Sequence, residues 1–200
     1  MPQRPILQDG ASVLREHAQP VPDEMFGTDE LAVIVNDMAD TLDAESDGVA
    51  IAAPQIGIPY RIFLVRYDRT GPTPPPGEEP ELLGPDIGVF INPEFVRSSR
   101  RRDYMDEGCL SVRGLYGTTY RNERATIRAY DASGAVFERG GGGLLAQIFQ
   151  HETDHLDGIL FIDHAEDIHS YKRGHANSDE ETSEMTEEAA EAEEEETPTL

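Results

Sequence analysis

Residues 144–158 read LLAQIFQHETDHLDG, and the rest of the chain is best read outward from them. The stretch sets His151, Glu152 and His155 in an H-E-x-x-H order. A helix turns ~100° per residue, so the two histidines fall about 40° apart on one face and both imidazoles can reach a single ion, with Glu152 beside them. Gly158 supplies a helix stop, being free to take φ > 0. The competing reading is a solvated helix face that happens to carry two histidines and an acid. One zincin class continues H-E-x-x-H-x-x-G-x-x-H; here Gly158 is present but Phe161 stands at the third-ligand position, which excludes that class. The thermolysin-like class takes its third ligand from a glutamate well downstream, where this chain is mostly acidic low-complexity sequence. The remaining ligand is therefore sought upstream, where the chain has its one cysteine, Cys109, in EGCLS at 107–111.

Two hundred residues suit one domain with an appendage. No apolar run approaches ~18 residues, and the N-terminus MPQRPILQDG lacks a signal pattern, so a cytoplasmic protein is expected with no membrane contact. A single cysteine cannot close an internal disulfide, which agrees with a reducing compartment and leaves the thiol free for chemistry. The net charge of −24 disfavours nucleic acid as a direct partner. Residues 165–200 hold 13 acids against Lys172 and Arg173, and the body is acidic as well. With 15 Arg and one Lys, such a surface suits solubility or high salt.

Along the chain, 9–18 reads as a short helix or turn. Thr28 then caps a helix with Asp29 and Glu30 in its first turn, and Leu31, Ile34, Val35, Met38 and Leu42 recur at helical spacing until Asp47 and Gly48. GVAIAAPQIG at 48–57 is rich in small residues that permit close backbone approach. YRIFLVRY at 60–67 predicts a strand, and GPTPPPGEEPELLGPD at 71–86 a surface loop. Short strands are expected at 89–92, 94–99 and about 107–112. Arg100, Arg101 and Arg102 form a basic knot best explained by ion pairs within the protein. The turn DASG at 131–134 predicts a hairpin, and four glycines at 140–143 a flexible entry to the H-E-x-x-H helix.

GVAIAAPQ (48–55), EGCLS (107–111) and QHETDHLDG (150–158), in that order and at those separations, resemble the three signature motifs of the peptide deformylase family. The likeness runs from about residue 5 to Asp163. It implies an α+β fold: antiparallel strands packed around a central helix carrying H-E-x-x-H, a long N-terminal helix, a catalytic domain over 1–165 and a disordered acidic tail over 166–200. It implies removal of the N-formyl group from the initiating methionine of nascent polypeptides. It further implies Cys109, His151 and His155 as ligands of one divalent metal ion, Fe²⁺ first, with Zn²⁺, Ni²⁺ or Co²⁺ open because the ligand types do not select among them. One thiolate and two imidazoles leave a fourth position open, as catalytic rather than structural sites do. By the same resemblance Glu152 is the proton shuttle, and the Gln55 side-chain amide and the Leu110 N–H stabilise charge on the formyl oxygen.

Leu144 and Ile148 lie within about 60° of His151 on the helix and are expected to line an apolar slot for methionine, with Gln147 pointing the same way. Val49, Ala50 and Gly108 complete that slot by resemblance. Three positions depart from the family's usual residues: Ala50 stands for a glycine, Gln147 for an apolar side chain and Arg113 for a proline, the last expected to loosen the loop after EGCLS. Glu107 and Asp154 are the candidate acceptors for the second nitrogens of the ligand histidines. The partners implied are N-formylmethionyl nascent peptides and a transient ribosome contact. Some relatives dock there through a basic C-terminal helix, whereas this tail has the opposite charge. With no heptad pattern and no exposed apolar stripe, a monomer is expected. Two other classes fit parts of the pattern: an H-E-x-x-H metallopeptidase, against which Gln55 and the cysteine ligand speak, and a non-catalytic relative acting as a binding module, against which the intact site residues speak.

Overall fold

The computed structural model describes residues 4–71 and 87–170. Thr28 opens the first long helix, α1 (Asp29–Asp43). Its Oγ1 accepts a hydrogen bond from the Leu31 N–H at 3.3 Å, satisfying one of the donors a helix start leaves free. Leu31, Ile34, Met38 and Leu42 are buried, and Val35 packs half-buried against the same cluster. The helix closes at Asp43, a turn earlier than the sequence suggests.

The strands follow as β1 (Ala50–Ala52), β2 (Ile62–Arg66), β3 (Ile87–Ser98), β4 (Arg102–Cys109), β5 (Val112–Asn122), β6 (Arg124–Tyr130) and β7 (Val136–Gly142), then helix α2 (Leu144–Leu156) and strand β8 (Glu166–Ser170). Their ladders are antiparallel and build a five-stranded sheet, β1-β2-β3-β6-β7, and a three-stranded sheet, β4-β5-β8. Among the described residues the fold is therefore a mixed α/β one with antiparallel sheets and two α-helices.

The sequence of β2 shows why both helices are needed. Successive side chains on a strand point to opposite faces, and IFLV is buried throughout. Phe63 and Val65 enter one core with Phe90, Phe149 and Leu156, whereas Ile62 and Leu64 enter another with Leu31, Met38 and Leu42. The five-stranded sheet is thus covered by α2 on one face and α1 on the other. Phe63 stacks on Phe90 with centroids 4.5 Å apart, and Phe149 of α2 tilts onto Phe90 at 5.4 Å. Among the described residues no helix is long and apolar enough to cross a membrane.

Four local expectations change. The two short strands expected over 89–99 are one strand, β3, interrupted by register shifts. Asn92 sits at φ 49° in the first of these, and its side-chain amide clasps the Val21 N–H and C=O at 2.8 and 2.9 Å. The glycines at 140–142 are not a flexible entry. They pair with Arg124, Ala125 and Thr126 in β7, and a Cβ at Gly141 would meet Leu145 Cγ at 2.7 Å, so glycine there lets the strand approach α2. A strand was expected only as far as 112, yet β5 runs on to Asn122. Residues 166–170, which sequence reading gives to the acidic tail, form β8 against β5, pairing Tyr116 with His169 and Leu115 with Ser170. Residues 171–200, and 72–86 of the Pro-rich loop, lie outside the described residues.

Candidate metal centre

α2 is buried along most of its length, because it is wedged against β1, β6 and β7 while also touching β5. It ends where it must: Gly158 follows at φ +75°, and a Cβ there would lie 2.7 Å from the backbone carbonyl of Arg15. The helix presents His151, Glu152 and His155 toward the end of β4, whose Glu107 and Cys109 are two residues apart and so share a face. Gly108 between them has no room for a side chain, since a Cβ would sit 2.8 Å from the Tyr116 ring.

Cys109 Sγ lies 3.2 Å from His155 Nε2, and one donor atom from each of Cys109, His151 and His155 falls within 4.8 Å of the others. His151 Nδ1 donates to Glu107 Oε1 at 2.5 Å, which fixes the orientation of the ring beside the cluster. Burial disfavours the charge on His151, but its hydrogen bonds with Cys109 and Glu107 outweigh this and hold the ring's pKa well above the ordinary value. Burial, with the charge of the neighbouring His151, drives His155 well below its ordinary value. Burial likewise penalises the Glu107 carboxylate, yet His151 and Arg121 together hold it far below the usual range.

The donor set fits a divalent ion. A sulfur and two imidazole nitrogens converge, one ring oriented by a buried carboxylate, and Glu152 beside them keeps one carboxylate oxygen, Oε2, buried with no hydrogen-bond partner among the described residues. Burial, reinforced by the charges of Glu107 and Asp154, pushes the Glu152 carboxyl up to about 7. Of the two candidate acceptors, Glu107 serves His151, whereas Asp154 turns to Arg121 at 2.6 Å and His164 at 3.4 Å. His155 Nδ1 has no partner among the described residues.

Gln55 follows Pro54 in a short 3-10 turn, Ala53–Ile56. Its Oε1 accepts from the Ala52 N–H at 2.8 Å. Its Nε2 donates to Ser111 Oγ at 3.1 Å and lies 3.6 Å from Cys109 Sγ, so the amide is held facing the cluster. Leu110 and Ser111 make the tight turn from β4 into β5, with Cys109 paired to Val112 across it. A cleft of about 810 Å³ opens over the cluster, and Val49, Ala50, Gly108, Leu144, Gln147 and Ile148 all line it. Gln55, Cys109, Leu110, His151 and Glu152 share that wall, while His155 is fully buried behind it. The polar Gln147 has a structural occupation, since its Nε2 donates to the Asp106 carbonyl at 2.8 Å and pins α2 to β4.

Sequence reading missed Arg121 and Ser111. Arg121 is a buried cation whose Nη2 and Nε grip Glu107 at 2.8 and 3.1 Å and whose Nη1 reaches Asp154. Thr119 Oγ1 adds a fourth donor to Glu107 at 2.6 Å. The one available signal was the alternation along β5, where Gly117, Thr119 and Arg121 face inward.

A sequence profile of the polypeptide deformylase family matches residues 3–171. The peptide deformylase of Thermomicrobium roseum is 39% identical over 181 residues, 90% of this chain and 96% of that protein. The chain belongs to the peptide deformylase family. The peptide deformylase of Dehalococcoides mccartyi strain CBDB1 is 36% identical over 82% of this chain and 86% of its own. Among solved structures, the class I type b peptide deformylase of Acinetobacter baumannii with Met-Ala-Ser bound superposes with a TM-score of 0.70 at 32% identity, covering 82% of this chain and 99% of that one. The peptide deformylase of Legionella pneumophila gives 0.70 at 37% identity, covering 83% and 88%.

Proposed function

We propose that this peptide deformylase family member removes the formyl group from N-formylmethionyl nascent peptides, releasing formate, at a centre formed by Cys109, His151 and His155. The observation that carries the reading is the convergence of one sulfur and two ring nitrogens within 4.8 Å at the wall of a cleft that also holds Gln55 and Glu152. A divalent ion held there supplies Lewis acidity and a lowered pKa for water. Fe²⁺ is the ion we favour on family resemblance, with Zn²⁺, Ni²⁺ and Co²⁺ compatible with the same ligands.

Glu152 accepts the proton of the water that attacks the formyl carbon and returns it to the amine nitrogen as the C–N bond breaks. A buried carboxylate whose Oε2 has no hydrogen-bond partner among the described residues is free to accept and return that proton. The Gln55 amide and the Leu110 N–H receive the charge that develops on the formyl oxygen. Val49, Ala50, Gly108, Leu144, Gln147 and Ile148 form the methionine slot, and the Met-Ala-Ser bound to the A. baumannii enzyme supports a peptide N-terminus as the occupant. The catalytic unit placed over residues 1–165 is extended through β8, which pairs with β5. We place the protein in the cytoplasm as a monomer with at most a transient ribosome contact.

Formate release from a formyl-Met peptide tests the reading. The metal-loaded chain is expected to release formate stoichiometrically with new amine, and Glu152→Ala to lose about 10²–10⁴ of the rate. Cleavage of internal bonds in unformylated peptide would favour a metallopeptidase, and binding without turnover a non-catalytic module; either overturns it.

A further inference from the structure

The turn that carries the proposed oxyanion donor and the sulfur ligand is held from outside by a residue far away in sequence. Gln8, in the N-terminal segment, donates from Nε2 to the Leu110 carbonyl at 3.0 Å and accepts at Oε1 from the Arg113 N–H at 3.4 Å. One side chain thus spans the turn from entrance to exit. The Leu110 carbonyl belongs to the same planar peptide as the Ser111 N–H, and that N–H donates to Cys109 Sγ at 3.3 Å. Gln8 therefore grips one end of a peptide whose other end is aimed at the sulfur.

Adjacent contacts reinforce the grip. The Asp9 N–H donates to the Ser111 carbonyl and the Leu7 N–H to the Gln55 carbonyl, both at 2.8 Å, so residues 7–9 bind each of the two segments that meet at Ser111 Oγ and Gln55 Nε2. At the rim of the cleft, which both residues line, Arg113 Nη2 pairs with Glu45 Oε1 at 2.7 Å, fastening the exit of the turn to the segment after α1. Arg113 stands where the family usually carries proline. A proline would have no N–H for Gln8 to accept, so the expected loosening of this loop is answered by a clasp that only a non-proline residue permits.

We propose that Gln8, acting with Arg113 and Glu45, is a positioning residue of the centre: it fixes the Leu110–Ser111 peptide so that its N–H holds the Cys109 sulfur and the Leu110 turn stays in register with Gln55. The inference rests on the proposed role of Cys109 as a metal ligand. Gln8 touches neither substrate nor ligand atoms. Its effect passes through one peptide plane, and hydrogen bonds of this kind convert to roughly three- to tenfold in rate or binding.

The test uses the full chain loaded with Co²⁺, whose thiolate-to-metal charge-transfer absorption reports the Cys109 sulfur directly. Gln8→Ala and Gln8→Met, the second keeping the length of the side chain without its hydrogen bonds, are compared with wild type. Both are expected to shift that band and to lower kcat three- to tenfold, with KM for a formyl-Met peptide within about twofold and the metal-free melting temperature within about 3 °C. An unchanged band and unchanged kcat in both variants overturns the proposal, as does a rate loss matched by a fall in melting temperature with the band unmoved. Absence of the band in wild type itself would instead contradict Cys109 as a ligand, so the two failures are told apart.

Discussion

At the scale of single residues, the centre is built from parts of unequal legibility. His151, Glu152 and His155 show in the sequence because helical period places them together, and Cys109 because no other thiol exists to compete for the role. Arg121 does not show: an arginine on a strand reads as solvent-facing until the carboxylates it meets are known, and Glu107 and Asp154 lie 14 and 33 positions away from it. Yet Arg121 decides whether Glu107 can orient His151. Replacing it with methionine leaves Glu107 buried and short of its cation, and breaking a buried pair in this way costs ~3–5 kcal/mol. Arg121→Met is accordingly expected to lower stability by that order in urea titration and to weaken Zn²⁺ binding ~10–100-fold in chelator competition. Unchanged metal affinity would show that Glu107 does not act through His151.

Elements were legible where pattern and cap agreed, as in α1, whose threonine cap and apolar period both point to the observed start. They were not where glycine stood in a strand, since glycine carries no propensity signal of its own. The run at 140–142 is strand because Gly141 must lie against Leu145. Likewise β3 hides its continuity behind register shifts at Asn92 and near Phe95. The exit from α2 is tightly constrained backbone. An alanine at Gly158 would have to adopt φ +75° and push its Cβ into the Arg15 carbonyl. The left-handed conformation alone costs ~1–2 kcal/mol, and with the clash Gly158→Ala is expected to lose at least ~2 kcal/mol. Thermal unfolding measures it, and a loss below ~0.5 kcal/mol would mean that the helix end is far more yielding than its geometry shows.

The whole molecule carries a net charge of −24, with acids on the body as well as beyond β8. Like charges in excess repel most in the folded state, where they are closest, and salt screens them over a Debye length of ≈ 10 Å at 0.1 M. Raising NaCl from about 0.05 to 0.5 M is therefore expected to raise the melting temperature by several degrees. A fall would place the balance with the ion pairs, such as Arg15–Asp163 and Arg66–Asp43, over the net repulsion. The mixed α/β class with antiparallel sheets followed from the family resemblance that three short motifs carry, whereas the second sheet was hidden because β5 and β8 meet across a gap of some fifty residues and neither strand announces its partner.

X-ray absorption at the metal edge of the Zn²⁺-loaded chain tests the central claim most directly, because it counts the ligands. One sulfur at ~2.3 Å and two imidazole nitrogens at ~2.0–2.1 Å are predicted, with the sulfur shell lost in Cys109→Ser. A spectrum without sulfur, or one unchanged by that substitution, would contradict the account.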